Sequence, residues 1–171
     1  MKRKIKLIDK KFKKHKKQYI LQSAMTVGVV AVVLMTLDIV SDGVIVASIG
    51  ASSTIAYGRP HTKTAGPKYL IGSYVAGVFI GWICSAAIVL LEKTAIPPDN
   101  FILMAVFGSL AVGLTMFTMV TINVEHPPAA ALALGFVLDG FTITSAIVAL
   151  VGITLISLLK ELLKRFMFDL Y

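Results

Sequence analysis

Four apolar runs of about twenty residues, joined by short polar connections, decide the class of this chain before any motif is considered. Residues 19–40, 69–91, 101–122 and a last run starting near 141 each match the roughly 20 residues a helix needs to cross about 30 Å of hydrocarbon. No water inside a bilayer can satisfy backbone N–H and C=O groups, so each run must close its own hydrogen bonds as a helix. The expected fold is all-α, a polytopic membrane protein. Composition agrees: 57% of the 171 residues are hydrophobic, only 15% are charged, and mean hydropathy is +0.84, which excludes an ordinary soluble domain.

Two further apolar pieces, 44–57 and 129–138, are too short to span as ordinary helices and read as half-helices, re-entrant elements or short broken spans. The expectation is four full transmembrane helices plus two short or half-helices in a single domain over 19–166. A basic tail (1–18) precedes it and a short tail (167–171) follows. Residues 1–17 carry a net charge of +9 against +8 for the whole chain, leaving −1 for the rest. A basic tail directly before an apolar run is a cytoplasmic anchor that meets anionic headgroups, so nucleic acid is not an expected partner. It is too long for a cleaved secretory signal and lacks the Arg and Ser richness of a transit peptide, so it is expected to stay on the protein. If both short pieces cross, every Lys and Arg except Lys93 falls on one side with both termini, in accord with the positive-inside rule. The expected location is a cell membrane, multi-pass, with cytoplasmic termini.

Long, short, long occurs twice, over 19–91 and 101–166. Sliding the first half by 77 residues lays Gly58 on Gly135 and Ala56 on Ala133. The triplets would enter from opposite sides, forming an inverted-topology repeat with a site near the bilayer midplane. Glycines at 72, 77, 81, 108 and 113 offer close helix packing, which allows a homodimer as readily as tight packing within one subunit.

Polar residues inside this sequence are few. Asn123, Glu125, His126, Pro127 and Pro128 interrupt it before the Ala129 helix, and ionisable groups in a membrane mark functional sites by default. Proline fits the first turn of a helix, whose free N–H groups would favour an anion. Gly50, Ala51, Ser52, Ser53 and Thr54 supply the facing segment, with hydroxyls able to bind a ligand. His126 is either a proton-carrying or anion-pairing group, or a helix-entry residue holding a freed carbonyl. Glu125 either supports a charged His126 or lies at the interface, the latter being favoured. His61 is a further candidate in the basic loop 58–68. Asp42 is read as part of the outer loop, and Asp38 either reaches the interface, the favoured reading, or faces a polar interior. Cys84 is the lone cysteine and forms no intramolecular disulfide. The histidines are too scattered for a metal motif, no cofactor fingerprint is present, and an enzyme reading has no positive support.

Gly50-Ala51-Ser52, then Pro60-His61-Thr62 and Pro67, then His126-Pro127-Pro128 opening an alanine-rich helix, resembles the HPP family of integral membrane proteins over roughly 39–138. Two departures stand out: Gly66 where a Gln is usual before Pro67, and Ser73-Tyr74 where Gly-His is expected after Gly72. Plant chloroplast and cyanobacterial members are associated with nitrite transport. The resemblance thus implies permeability to a small inorganic anion, and the expected function is a transporter or channel for a small monovalent anion, with possible proton coupling through His126. The alternatives are a non-transporting membrane scaffold and, less favoured, an intramembrane enzyme using Glu125 and His126.

Overall fold

The computed structural model describes residues 10–37, 43–94 and 101–171. Asp38 and Asp42 lie outside the described residues. The described chain is helical, without strands: α1 (Lys10–Leu37), α2 (Gly43–Gly58), α3 (Pro67–Thr94), α4 (Phe101–Thr121), α5 (Pro128–Leu138) and α6 (Ile143–Leu163), with 3-10 turns at Lys63–Ala65 and Lys164–Phe166. The helices α1, α3, α4 and α6 are long and apolar enough to cross a membrane, whereas α2 and α5 are the shorter apolar pieces.

Helix α1 starts earlier than the hydropathy boundary at Tyr19, because lysines are good helix formers and continue the helix into the basic segment. Non-helical backbone at His15 (φ −124°, ψ 31°) marks a kink near that transition.

All six helices run between the same two ends of the bundle. At one end, the Tyr19 hydroxyl donates to the Leu170 carbonyl, and Gln22 Nε2 donates to the Tyr57 carbonyl and, at 3.0 Å, to Phe168 O. The Leu170 N–H donates to Gly58 O at 2.9 Å. The last carbonyls of α2, which have no intrahelical partner, are thus capped by α1 and the C-terminal tail. At the other end, Phe141 N–H donates to Ser85 Oγ at 3.3 Å, and Phe136 and Phe141 rings stack edge to face. Helices α1, α3 and α5 therefore run one way and α2, α4 and α6 return. Lys11, Lys13, Lys14, Lys16, Lys17, Arg59, Lys63, Lys68, Lys160, Lys164 and Arg165 gather at the first, basic end, and Lys93 stands at the far end.

Among the described residues, the substantial helix pairings are α1 with α2 and α6, α2 with α5 and α6, α3 with α4, α5 and α6, and α4 with α5. Exchanging α1, α2, α3 with α4, α5, α6 returns the same set. Together with their opposite directions, this is the arrangement of an inverted repeat. The inner layer is α2, α3, α5 and α6, and it holds most of the buried apolar side chains. A smaller cluster of Cys84, Ile88, Ala111, Ala133 and Val137 joins α4 to α3 and α5.

Small residues set the closest approaches, as expected where lipid removes the hydrophobic drive between helices. A Cβ on Gly77 would stand 2.5 Å from the Ala129 carbonyl oxygen, and one on Gly81 2.9 Å from Phe136 Cδ2. A Cβ on Gly135 would run into Val44 and one on Gly152 would meet Ile49 at 2.6 Å. The charges at the end of α6 do not all emerge: Lys160 is fully buried, on the same face as Ile153 and Ile156, and pairs with the half-exposed Glu161 carboxylate.

Candidate functional site

The chain leaves α4 through a reversal that aims it into the bundle. Asn123 N–H donates to Val120 O at 3.3 Å and Val124 N–H to Met119 O at 2.9 Å, with Asn123 at φ 55°. These bonds close the helix as a Schellman motif, and Asn tolerates the left-handed position better than most residues. Val124 is buried against α3 where Gly72 leaves room, since a Cβ there would stand 3.0 Å from Val124 Cγ1. His126 follows, fully enclosed, and Pro127 and Pro128 then begin α5.

The start of α5 differs from the expectation of free N–H groups. Pro127 and Pro128 have none, Ala129 N–H donates to His126 O at 3.1 Å, and Ala130 N–H donates to Pro127 O at 3.0 Å. The prolines and the tight first turn use these groups up, so Pro127, Pro128 and Ala129 offer a ligand no backbone donor. Any ligand must meet side chains.

The His126 ring supplies them. Its Nε2 lies 2.8 Å from Ser52 Oγ, and that oxygen lies 2.9 Å from the Tyr74 hydroxyl. All three side chains are fully buried, and the imidazole and phenol rings stand 6.3 Å apart between centroids. Helices α2 and α3 and the entry to α5 thus meet in one hydrogen-bonded chain. Tyr74 is seven residues into α3 and Ser52 six from the end of α2, which places the chain roughly 10 Å inside the basic end.

His126 Nδ1 is buried without a hydrogen-bond partner among the described residues. The rest of the network sets its role. With the proton on Nε2, the ring donates to Ser52 and Nδ1 is an acceptor. With Ser52 donating to Nε2, Nδ1 carries the proton and is a donor. The Ser52 and Tyr74 hydroxyls can turn together, so either arrangement keeps the chain bonded.

The other candidates lie elsewhere. Ser53 is buried but bonds back to Ile49 O at 2.8 Å, and Thr54 is exposed and bonds back to Gly50 O at 3.0 Å. Ala51 is exposed, and a Cβ on Gly50 would meet nothing within 4 Å. His61 is tied to the C-terminal tail, its N–H donating to Asp169 Oδ1 at 3.1 Å and its Nε2 lying 3.0 Å from Met167 O. Asn123 is exposed, with Oδ1 accepting from the Tyr69 hydroxyl at 3.2 Å and from Lys63 Nζ at 3.5 Å. Glu125 and Pro127 are exposed. Of the residues singled out from sequence, Ser52 and His126 come together in this centre.

A cavity of about 630 Å³ lies between α2, α5 and α6 at the far end, lined by Gly43, Ile45, Leu132, Asp139, Gly140 and Ser145 among others. Its deepest apolar residues are Leu132, six positions after His126, and Ile45, seven before Ser52. The cavity therefore stops roughly 10 Å short of the polar centre.

A family model described as HPP, transmembrane region, matches residues 12–166, which takes in nearly all of α1 and every later helix. The chain belongs to the HPP transmembrane family. No curated protein and no solved structure matches it. Membership makes it a membrane protein, in agreement with its four long apolar helices. The departure of this HPP protein from the family pattern at Ser73-Tyr74 falls inside the centre, since Tyr74 is the third member of the hydrogen-bonded chain. That departure is the one signal by which sequence could have found it. Thr115, a buried threonine on α4, carries no motif.

Proposed function

We propose that this HPP protein is a transporter or channel for a small monovalent anion of the nitrite type, bound at His126 and its chain to Ser52 and Tyr74. The observation that carries the reading is the fully enclosed imidazole, bonded at Nε2 and without a partner at Nδ1 among the described residues. A buried donor or acceptor without a partner costs about 1–3 kcal/mol, a cost that a bound ligand offsets. Ionisable residues inside membrane proteins line ion pathways and proton relays.

The chemistry of the centre selects the ion. Its members are neutral hydroxyls and an imidazole, so a strongly hydrated or divalent anion has nothing to replace its water, whereas a weakly hydrated monovalent one needs few donors. An anion entering with a proton leaves the site neutral, and the His126 imidazole is the basic group there that would receive the proton once the ion's charge stands beside it. The far-end cavity is the approach from one side, the 123–127 segment covers the other, and rocking of two inverted triplets would open each in turn. In this reading the basic end faces the cytoplasm.

Nitrite uptake into proteoliposomes tests it. The wild type should load nitrite faster than protein-free vesicles. His126→Gln should lower that rate roughly tenfold to a hundredfold while eluting and melting as a folded protein, since it removes a group that contacts the ion directly. Uptake by His126→Gln equal to the wild type removes the imidazole from the mechanism.

A further inference from the structure

Thr115 is the one polar side chain on the buried stripe of α4, which otherwise consists of Gly108, Ala111 and Met119. Its Oγ1 is buried and has no hydrogen-bond partner among the described residues. That is unusual within this molecule. Thr26, Thr36, Thr54, Thr121 and Thr154, none of them buried, each turn the hydroxyl onto the carbonyl four residues earlier, at 2.7–3.0 Å. A threonine in hydrocarbon can always satisfy itself this way. Thr115 makes no such bond, and it stands on the buried stripe of α4, the helix that packs against α3 and α5.

Its level can be fixed from the packing. Helices α4 and α5 are antiparallel, and Gly108 sits against α5, where a Cβ would stand 2.8 Å from Leu134 Cδ1. Seven residues on is about two turns, which returns to the same face roughly 10 Å nearer the basic end. Seven residues back along α5 from Leu134 is Pro127, next to His126. Thr115 is also six residues from the end of α4, the same inset as Ser52 on α2. Two unpartnered, fully buried polar atoms on adjoining elements therefore share one depth.

We infer that Thr115 Oγ1 and His126 Nδ1 are the two arms of a single binding site for an oxygen-bearing monovalent anion, with Thr115 a determinant of its affinity. The inference rests on the anion-transport reading and names a residue that reading does not require. With Ser52 donating to Nε2, the ring N–H and the threonine O–H form a neutral two-donor clamp that nitrite can bridge. Removing one arm leaves an ion with a missing hydrogen bond, worth at least roughly tenfold in affinity.

Thr115→Val, close in shape but without the hydroxyl, and Thr115→Ser, which keeps it, test this in proteoliposomes and in detergent melts with and without nitrite. Thr115→Val should weaken nitrite uptake, read as half-saturating concentration, at least roughly tenfold, and Thr115→Ser should retain most of it. Without nitrite, Thr115→Val should melt no lower than the wild type, because an unsatisfied buried hydroxyl has been replaced by a methyl; its nitrite-induced rise in melting temperature should be lost. A structural role would lower the nitrite-free melt instead, and that result overturns the proposal. Wild-type uptake by Thr115→Val alongside loss in His126→Gln also overturns it and leaves the transport reading standing. No nitrite effect on the wild type at all overturns both.

Discussion

At the scale of single residues, the weight falls on how each buried polar atom is satisfied. Ser53 and Ser73 bond back to their own helices, Ser48 bonds back to Ile45 O while standing within hydrogen-bond reach of Tyr74, and Ser52 turns to His126 and Tyr74. Tyr74 anchors Ser52 from α3, so it sets which way the Ser52 hydroxyl points. Tyr74→Phe should lower stability by about 1 kcal/mol, one buried hydrogen bond. It should also slow nitrite uptake several-fold without abolishing it, because the Ser52 to His126 contact survives. Melting and uptake on the same preparation check this; an unchanged uptake would mean that the phenol only fills space. His126 and Ser52 were legible in the sequence as a histidine before two prolines and a hydroxyl-bearing half-helix. Thr115 was not, because threonines in apolar helices ordinarily bond their own carbonyls, and only packing distinguishes one that does not.

At the scale of elements, the short helices α2 and α5 were legible from length alone, since about 24 Å and 16 Å of helix fall short of a bilayer core. What sequence left open, how far they run within the bundle, is answered by their ends: α2 runs from the far-end cavity to the tail contacts of the basic end, and the 123–127 segment completes the path of α5. The tail docking on Gln22 and Gly58 left no trace in hydropathy, because it runs through backbone hydrogen bonds. The start of α5 likewise reads from sequence as an open helix end, and only the bonds from Ala129 and Ala130 show it closed. Helix α5 is held against α3 by glycines, and this contact is testable. Gly77→Ala puts a methyl 2.5 Å from the Ala129 carbonyl and should cost about 1–3 kcal/mol through overpacking. Gly113→Ala, with nothing within 4 Å, should be neutral or raise the melting temperature through helix propensity. Equal melts for the two variants would contradict the close approach that carries His126 into the bundle.

At the scale of the whole molecule, two triplets of helices enter from opposite ends and exchange onto one another, while the basic side chains collect at one end and the cavity between α2, α5 and α6 opens toward the other. The polar centre lies between the two ends, enclosed on all sides. Under the anion-transport proposal, a small anion approaches through the far-end cavity and the 123–127 segment is the cover that lifts at the other end. The location of the ion is therefore the central claim. Selenocyanate is a weakly hydrated monovalent anion with a strong anomalous signal, and diffraction from crystals grown with it locates the ion directly. The expected result is an anomalous peak within hydrogen-bond reach of His126 Nδ1 and Thr115 Oγ1, lost in His126→Gln. Peaks confined to the lysines of the basic end, with none between α3, α4 and α5, would contradict the account.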